Sequence, residues 1–268
     1  MSEGGAAPRI SHDTWDGRSG RELAEAWGVP KVEALRTIGS TNDRAAELAR
    51  LDSVRPLVVV AEEQTAGRGR RGADWQSASH AGVWMSIVLD AERAFPQLPL
   101  VVGVACALAI ERTLGSSEAR VLVKWPNDLL VADQKVGGIL CESGPSGVII
   151  GIGINVAVPP GGFRSDLAGR ATALELVNHK TMARSALAAS IIDGVLSRVD
   201  GSVPLDATWQ ELERRDALTG RAVETEEHGR GVARGIDPAG ALRLELTDGQ
   251  VRAVISGSVR LAATPGRG

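Results

Sequence analysis

The sequence predicts an α+β fold, in which a mixed sheet flanked by helices is followed by a small C-terminal β barrel. Apolar residues make up 43% of the 268 residues, which is enough for a sizeable core. Up to about residue 216, buried-type β segments are interleaved with helical segments. From residue 219 to 262, short β segments are separated by turns. We therefore expect an N-terminal extension (1–30), a main domain (31–216) and a small β domain (217–268).

The first elements are read from their caps and periodicity. Residues 1–17 are polar and Gly-rich, and we expect them to be disordered, as we expect the C-terminal tail to be flexible. The segment Arg18–Trp27 predicts a short helix that Gly28 ends, and Lys31–Ile38 alternates as a strand does. Thr41 is expected to cap a helix that runs to about Leu51.

The following elements are predicted from apolar runs and turn residues. Leu98–Leu114 is apolar nearly all round, which is typical of a central helix. A polar, Gly-rich loop is expected over 64–81. The remaining predictions are strands over 56–61, 83–89, 120–124, 129–132, 137–142 and 147–156, helices over 182–199 and 206–218, and four or five short strands over 219–262.

Composition excludes several classes of protein. A net charge of −3 argues against a protein that coats nucleic acid. The two cysteines, Cys106 and Cys141, cannot form a disulfide scaffold, and the four histidines lack metal-ligand spacing, so we expect no metal site. The N-terminus lacks the apolar region of a secretory signal, and the longest apolar stretch, 98–110, is too short to span a bilayer. We therefore expect a cytoplasmic protein without membrane contact.

One segment resembles the core of a helix-turn-helix. Arg21–Arg36 has the matching Ala and Gly-Val spacing. A DNA-binding module needs three helices and a basic recognition face, and Pro30 stands where the second helix would begin. We therefore favour a helix followed by a strand, and expect no DNA partner.

The segment Gly67–Gly72, with sequence GRGRRG, concentrates positive charge on a loop after a strand. Its glycines permit close backbone approach to an anion, and its guanidinium groups suit carboxylate or phosphate. The spacing is not that of a Walker A loop, and the residues that follow do not look helical, so a Rossmann reading is weak. The loop alone fits anion binding and a solvated basic loop equally well.

Three further segments offer polar groups at strand ends. Lys124–Asp128, KWPND, brings a lysine to a rigid turn with Asn and Asp, although Pro-Asn-Asp is also ordinary turn chemistry. Lys135–Leu140, KVGGIL, pairs a lysine with two glycines that permit close approach, and a lysine near a low-dielectric pocket suits a phosphate. Gly151–Val156 carries Asn155, which could bond a heterocycle edge or belong to a strand weakened by glycine.

Together, and in this order, these segments resemble the catalytic domain of biotin–protein ligases over about residues 32–262. Ser40-Thr41-Asn42 after the first strand completes the set. The resemblance implies a class II synthetase-like catalytic domain with an SH3-like barrel, in the ligase-only form. It also implies two steps: biotin and ATP give biotinyl-5′-AMP, and a lysine of the biotin carboxyl carrier domain of an acyl-CoA carboxylase then takes the biotin. Mg²⁺ would arrive with ATP.

The resemblance also implies roles for individual residues. Trp75 would help to cover the adenine or the closed loop, Asn155 would read the adenine, and Lys135 would bridge the biotin carboxyl and the α-phosphate. Asp128, beside the arriving lysine, is our hypothesis for the base, with a purely structural role in the turn as the alternative. The biotin-binding set is Ser40, Thr41, Asn42, Gln64, Gly67, Arg68, Gly69, Arg70, Lys135, Gly137 and Gly138; the adenylate set is Arg70, Arg71, Trp75, Asn127, Lys135 and Asn155; the catalytic set is Lys135, Arg68, Arg70 and Asp128.

Two alternatives stay open at this point. A lipoate or octanoate transferase shares the fold, but lipoate ligases lack KWPND. A nucleic-acid-binding regulator would use Arg21–Arg36 and the Arg-rich loop, against the acidic net charge. We identify no arginine near Ala262, where some members of the family direct one toward the nucleotide. The oligomeric state, monomer or homodimer, is not encoded in any motif.

Overall fold

Helices and strands alternate along the first two thirds of the chain, and strands alone follow. The computed structural model describes residues 14–115, 120–178 and 182–262. Of the segment predicted as disordered (1–17), residues 1–13 lie outside the described residues, as does the final tail (263–268). For residues 14–17 the prediction was wrong, because Trp15 is buried and its indole donates to the Ala61 carbonyl (3.2 Å). The elements are α1 (Gly20–Trp27), β1 (Lys31–Ile38), α2 (Thr41–Leu51), β2 (Leu57–Gln64), β3 (Gly82–Leu89), α3 (Leu98–Leu114), β4 (Leu122–Lys124), β5 (Asp128–Val131), β6 (Gln134–Gly144), β7 (Gly147–Asn155), α4 (Leu174–Asn178), α5 (Arg184–Val199), α6 (Leu205–Arg215), β8 (Ala222–Thr225), β9 (Gly229–Ile236), β10 (Leu242–Glu245), β11 (Val251–Val254) and β12 (Val259–Leu261), with 3₁₀ turns at Arg70–Gly72 and Ala91–Arg93.

The main sheet is mixed and is covered on both faces. Seven of the described strands follow the order β1-β2-β3-β7-β6-β5-β4, with β1 and β2 parallel and the other pairs antiparallel. Because side chains alternate across a strand, Val58 and Val60 of β2 pack in the core with α3 and α5, while Val59 and Ala61 pack in the core with α2. The predicted α+β fold is confirmed.

The second sheet lies in the C-terminal part of the chain. Five described strands form an antiparallel sheet in the order β11-β10-β9-β8-β12. A hydrogen bond from Trp125 Nε1 to the Gly240 carbonyl (2.9 Å), between β9 and β10, joins this part of the chain to the main sheet. The turn between β4 and β5 is therefore held against the second sheet beside the β4 edge of the main sheet.

The segment that resembles a helix-turn-helix forms α1 and then β1. Ser19 and Glu22 form a capping box at the start of α1, which begins two residues later than predicted. Gly28 ends the helix in a left-handed conformation (φ +64), and the chain then enters the sheet. The interpretation as a helix followed by a strand is therefore confirmed.

Two other local predictions were wrong. Thr41 is the first residue of α2 instead of its cap, and its hydroxyl faces Gln64 and Ser86. Ser40 occupies the cap position and makes no side-chain cap bond. The short helix α4 was not predicted, since it spans only five residues.

The segment before α1 is anchored to the main domain by Arg184. This buried guanidinium donates to Glu62 (2.6 Å) and to Asp16 (2.9 Å), and lies 4.9 Å from the ring of Trp15. None of the described helices is long and apolar enough to cross a membrane, and both cysteines are free thiols. The cytoplasmic location stays a prediction.

Candidate active site

A cavity of about 220 Å³ lies over one edge of the main sheet and is closed on one side by Gly257–Val259 of the second sheet. It brings together all four chemistry-bearing regions predicted from the sequence, although they are far apart along the chain. The predicted residues that line it are Ser40, Thr41, Asn42, Gln64, Arg68, Gly69, Arg70, Arg71, Trp75, Asn127, Asp128, Lys135 and Gly138.

One end of the cavity is polar and uncharged. Gln64 Oε1 accepts from the backbone N–H of Thr41 (2.8 Å), and Gln64 Nε2 donates to Ser77 Oγ (2.8 Å). Thr41 and Asn42 are buried, and both contact the hydroxyl of Ser86. This end suits a neutral ring that carries hydrogen-bonding groups.

The other end concentrates cations around one carboxylate. Lys135 Nζ lies 2.5 Å from Asp128 Oδ1, and Lys124 Nζ lies 3.7 Å from the other oxygen, Asp128 Oδ2. Burial lowers the pKa of Lys124, and nearby Asp128 opposes that shift. Burial also lowers the pKa of Arg70, again opposed by Asp128. Fixed cations in a partly desolvated site can offset the repulsion between a carboxylate and a phosphate.

Trp75 forms a wall between these ends. A Cβ added at Gly153 would meet its indole at 2.7 Å, and one at Gly138 would meet it at 3.3 Å. Lys135 Nζ lies 5.1 Å from the ring centroid, within the range of a cation–π contact. The close approach expected of Gly138 is therefore made to Trp75 and to the Lys135 side chain.

The Arg-rich loop crosses the cavity toward the second sheet. Arg71 and Gly72 are both left-handed (φ +58 and +76), which turns the chain. Arg70 donates to the Gly257 carbonyl (3.4 Å), and Arg71 forms an ion pair with Glu226. On the opposite side, Arg68 lies 2.5 Å from Asp43. The three arginines thus point to three different partners.

Three predicted residues do not line this cavity. A Cβ at Gly67 would meet the Trp75 carbonyl at 2.6 Å, so this glycine shapes the loop. One at Gly137 would meet Ile154 at 2.7 Å, in the core. Asn155 donates to the Thr172 carbonyl (3.0 Å) and lines a neighbouring cavity.

That neighbouring cavity, of about 1000 Å³, shares Trp75, Lys124, Asp128 and Lys135 with the first. It adds Asn155 and three arginines: Arg164, Arg170 and Arg260. A third cleft, of about 360 Å³, opens beyond Asn127 and is lined by apolar residues that include Ile255. Asp74, Asp133 and Asp166 also line the neighbouring cavity, so the first cavity opens toward a space with charges of both signs on one side and toward a partly apolar cleft on another.

Sequence reasoning missed several residues at the site. Lys124 was the easiest of these residues to predict, because it is the first residue of the KWPND segment. The prediction that no arginine near Ala262 faces the nucleotide site was wrong. Arg260 lies two residues before Ala262 and lines the neighbouring cavity. Ser86, Glu142 and Glu226 carry no local signal, since each reaches the site through contacts with residues more than 40 positions away. Among the described residues, no group of three His, Cys, Asp or Glu side chains could hold a metal ion.

Two family models match the chain. The Biotin/lipoate A/B protein ligase family matches residues 34–158, and the Biotin protein ligase C terminal domain matches residues 218–261. The chain is 31% identical over 248 residues to the biotin–[acetyl-CoA-carboxylase] ligase of Mycobacterium tuberculosis, covering 87% of this chain and 89% of that protein. The chain belongs to the biotin–protein ligase family. It is therefore a biotin ligase, an enzyme that modifies protein.

Other similar proteins are also named as ligases. The bifunctional ligase/repressor BirA of Bacillus subtilis is 33% identical over 237 residues, which are 84% of this chain and 72% of that protein. Among solved structures, the biotin protein ligase of Aquifex aeolicus in complex with biotin and ATP has a TM-score of 0.76 and 26% identity, covering 86% of this chain and 99% of that one. The ligase of Leishmania major in complex with biotinyl-5-AMP has a TM-score of 0.61 and 26% identity, covering 84% and 98%.

Proposed function

We propose that this ligase works in two steps. A carboxylate oxygen of biotin attacks the α-phosphorus of ATP, which forms biotinyl-5′-AMP and expels pyrophosphate. The ε-amine of a lysine on the biotin carboxyl carrier domain of an acyl-CoA carboxylase then attacks the acyl carbon. AMP leaves with the bonding electron pair, and the amine loses a proton. The observation that carries this proposal is the cavity with a neutral polar end and a cationic end.

The neutral end fits the ring system of biotin. Ser40, Thr41, Asn42 and Gln64 offer hydrogen-bonding groups without a charge, as an uncharged cyclic urea requires. A site of this kind rejects a ligand that lacks matching polar groups, because its own buried groups would be left unpaired. This favours biotin over lipoate, whose ring has no such groups.

The cationic end fits the joining of a carboxylate to a phosphate. Lys135 and Lys124 lie on either side of Asp128, and Arg70 closes the space from the loop. We propose that Lys135 bridges the biotin carboxyl and the α-phosphate, where negative charge is brought together. The neighbouring cavity, with Asn155 and its arginines, is proposed to hold the rest of the nucleotide.

The second step needs a base for the arriving lysine, and no nucleophile from the enzyme. Asp128 is proposed as that base, since it begins β5 directly after the turn whose Asn127 borders the apolar cleft. A proton of the acceptor lysine would pass to this carboxylate first, so that the nitrogen attacks the acyl carbon as a neutral amine. Mg²⁺ would enter with ATP and be held among its phosphates.

The names of similar proteins support the same substrates. The Aquifex aeolicus structure is described with biotin and ATP, and the Leishmania major structure with biotinyl-5-AMP. The Mycobacterium tuberculosis relative is named for acetyl-CoA carboxylase.

The test is to incubate the protein with biotin, ATP and a carrier domain, and to read the mass of the carrier. We expect the mass to rise by one biotinyl group, and to stay unchanged when ATP is omitted or when the acceptor lysine is replaced by arginine. A carrier that gains no mass with biotin, or that gains a lipoyl group when lipoate replaces biotin, would contradict the proposal.

A further inference from the structure

A chain of buried polar side chains runs beneath the neutral end of the cavity and ends at one carboxylate. Glu142 Oε2 accepts from Asn42 Nδ2 at 2.6 Å. Asn42 Oδ1 lies 2.6 Å from Ser86 Oγ, which lies 2.8 Å from Thr41 Oγ1. Thr41 Oγ1 in turn lies 3.0 Å from Gln64 Oε1.

The carboxylate of Glu142 determines which partner donates in the hydrogen bonds of Asn42 and Ser86. An ionised carboxylate only accepts, so the amide group of Asn42 must face Glu142 with its nitrogen. The amide oxygen of Asn42 then faces Ser86, whose single proton it takes. Ser86 is left as an acceptor toward Thr41, so the orientation of the Asn42 amide and of the Ser86 proton follows from Glu142.

The direction decides what the cavity offers to a ligand. The Thr41 proton has two acceptors within the protein, Ser86 Oγ and Gln64 Oε1, so Thr41 offers lone pairs to the cavity. Gln64 Oε1 is held by the Thr41 N–H, and Nε2 keeps a second N–H beyond the one given to Ser77. An acceptor beside a donor matches the N–H and C=O groups of a cyclic urea.

Burial makes this arrangement sensitive to the carboxylate. Asn42 is 4% exposed and Ser86 is 0% exposed, so neither can exchange a lost partner for bulk water. The Asn42 amide is also packed closely against Gly151, since its Oδ1 lies 2.4 Å from the position that a Cβ on Gly151 would occupy. This packing restricts rotation of the amide. Glu142 itself is partly exposed and lies 3.6 Å from Arg68.

We infer that Glu142 is a positioning residue of the biotin pocket, which fixes the amide of Asn42 and thereby the donor and acceptor pattern presented by Thr41 and Gln64. The inference rests on the proposed function, since the pattern is argued for the ureido ring of biotin. Glu142 acts through Asn42 and need not touch biotin.

The test compares Glu142→Ala, Glu142→Gln and the control Asp43→Asn by calorimetric binding of biotin without ATP. Glu142→Ala is expected to weaken biotin binding about tenfold, because Asn42 Nδ2 loses its 2.6 Å acceptor and keeps only a long contact to the Leu140 carbonyl (3.5 Å). Glu142→Gln is expected to retain affinity within about threefold, because its amide oxygen can still accept. Asp43→Asn removes the other carboxylate beside Arg68 without touching Asn42, and is expected to stay within about twofold of wild type.

A second ligand separates positioning from general damage. In 2-iminobiotin, a cyclic guanidine that is cationic at neutral pH, a donor group replaces the acceptor oxygen of the ureido ring. Because Glu142→Ala and Glu142→Gln both lack the charge, the preference for biotin over this analogue is expected to be lower in Glu142→Ala than in Glu142→Gln, and an equal preference in the two variants would overturn the inference. Unchanged biotin binding by Glu142→Ala, or a loss in Asp43→Asn as large as in Glu142→Ala, would also overturn it. Failure of the wild type to bind biotin would instead contradict the proposed function.

Discussion

At the scale of single residues, Asp128 is shared between two ammonium groups, those of Lys135 and Lys124. A carboxylate in this position can hold Lys135 before the substrates arrive. Lys135 must then turn to the reacting phosphate, which leaves Asp128 available to the arriving lysine. The same residue would thus serve each step in a different way.

Replacement of Asp128 by Asn tests its part in the second step. Asparagine keeps the shape of the side chain but cannot take a proton at neutral pH, so we expect transfer from preformed biotinyl-5′-AMP to the carrier to slow by about 10²-fold or more. The measurement is single-turnover transfer, which bypasses adenylate formation. Transfer at the wild-type rate would show that Asp128 only fixes the turn.

Lys124 offers a test in which stability and activity change in opposite directions. Burial lowers its pKa, so the charged form is less stable in the folded protein than in the unfolded chain, and this cost shrinks as the pH rises from the lowered pKa toward the ordinary value. Lys124→Met is expected to raise the free energy of unfolding by about 1 kcal/mol. Adenylate formation is expected to fall at least about tenfold, because a cation at the reacting end is lost.

The control for this variant is Lys31→Met, at a half-exposed lysine paired with Asp52 far from the cavity. Denaturant unfolding and biotin-dependent pyrophosphate release are measured for both. A Lys124→Met protein that is less stable than wild type with full activity would contradict the assignment of Lys124 to the site.

At the scale of elements, the Arg-rich loop joins the main sheet to the second sheet across the cavity. Its backbone is fixed by short contacts, such as Trp75 N–H to the Gly67 carbonyl (2.9 Å), while its charged ends rest on exposed carboxylates. Exposed ion pairs contribute little stability, so these contacts can be exchanged easily for contacts to ligands.

We expect residues about 66–79 to become protected from proteases when biotin and ATP are both present, because a loop over a reactive anhydride must exclude water. The measurement is limited proteolysis with and without the two substrates, followed by mass mapping of the cut sites. Equal cleavage of this segment under both conditions would contradict closure of the loop.

The contact of the loop with the second sheet is tested by Glu226→Gln, with Glu227→Gln as the matched control. Glu226 pairs with Arg71 and accepts from Ser258 (2.8 Å), and these contacts lower its pKa, whereas Glu227 faces His228. Without substrates, we expect about two- to fivefold faster cleavage of the loop in Glu226→Gln, and no change in Glu227→Gln. Equal rates in the two variants would show that Arg71 and Glu226 do not hold the loop.

At the scale of the whole molecule, both sheets contribute to one site. The main sheet supplies the neutral and cationic ends, while Gly257–Val259 closes the first cavity and Arg260 lines the second. The net charge of −3 therefore conceals a local concentration of cations at the place where two anionic substrates would meet.

Much of this arrangement was predictable because it is encoded locally. The apolar run of α3 and the alternation of β1 gave correct elements, and GRGRRG with KVGGIL placed the arginines and Lys135 at the cavity. The contacts that tune the site were not predictable, because they depend on strand register and tertiary packing. Glu142 meets Asn42 from 100 positions away, and Arg71 meets Glu226 from 155 positions away.

The central claim is that one cavity binds biotin and joins its carboxylate to AMP. The most direct measurement is pyrophosphate release by purified protein with ATP and no carrier. We predict a burst of about one equivalent of pyrophosphate per protein only when biotin is present. The rate of this burst is predicted to fall at least about 10²-fold in Lys135→Met. Release that does not depend on biotin, or a burst of full size and rate in Lys135→Met, would contradict the account.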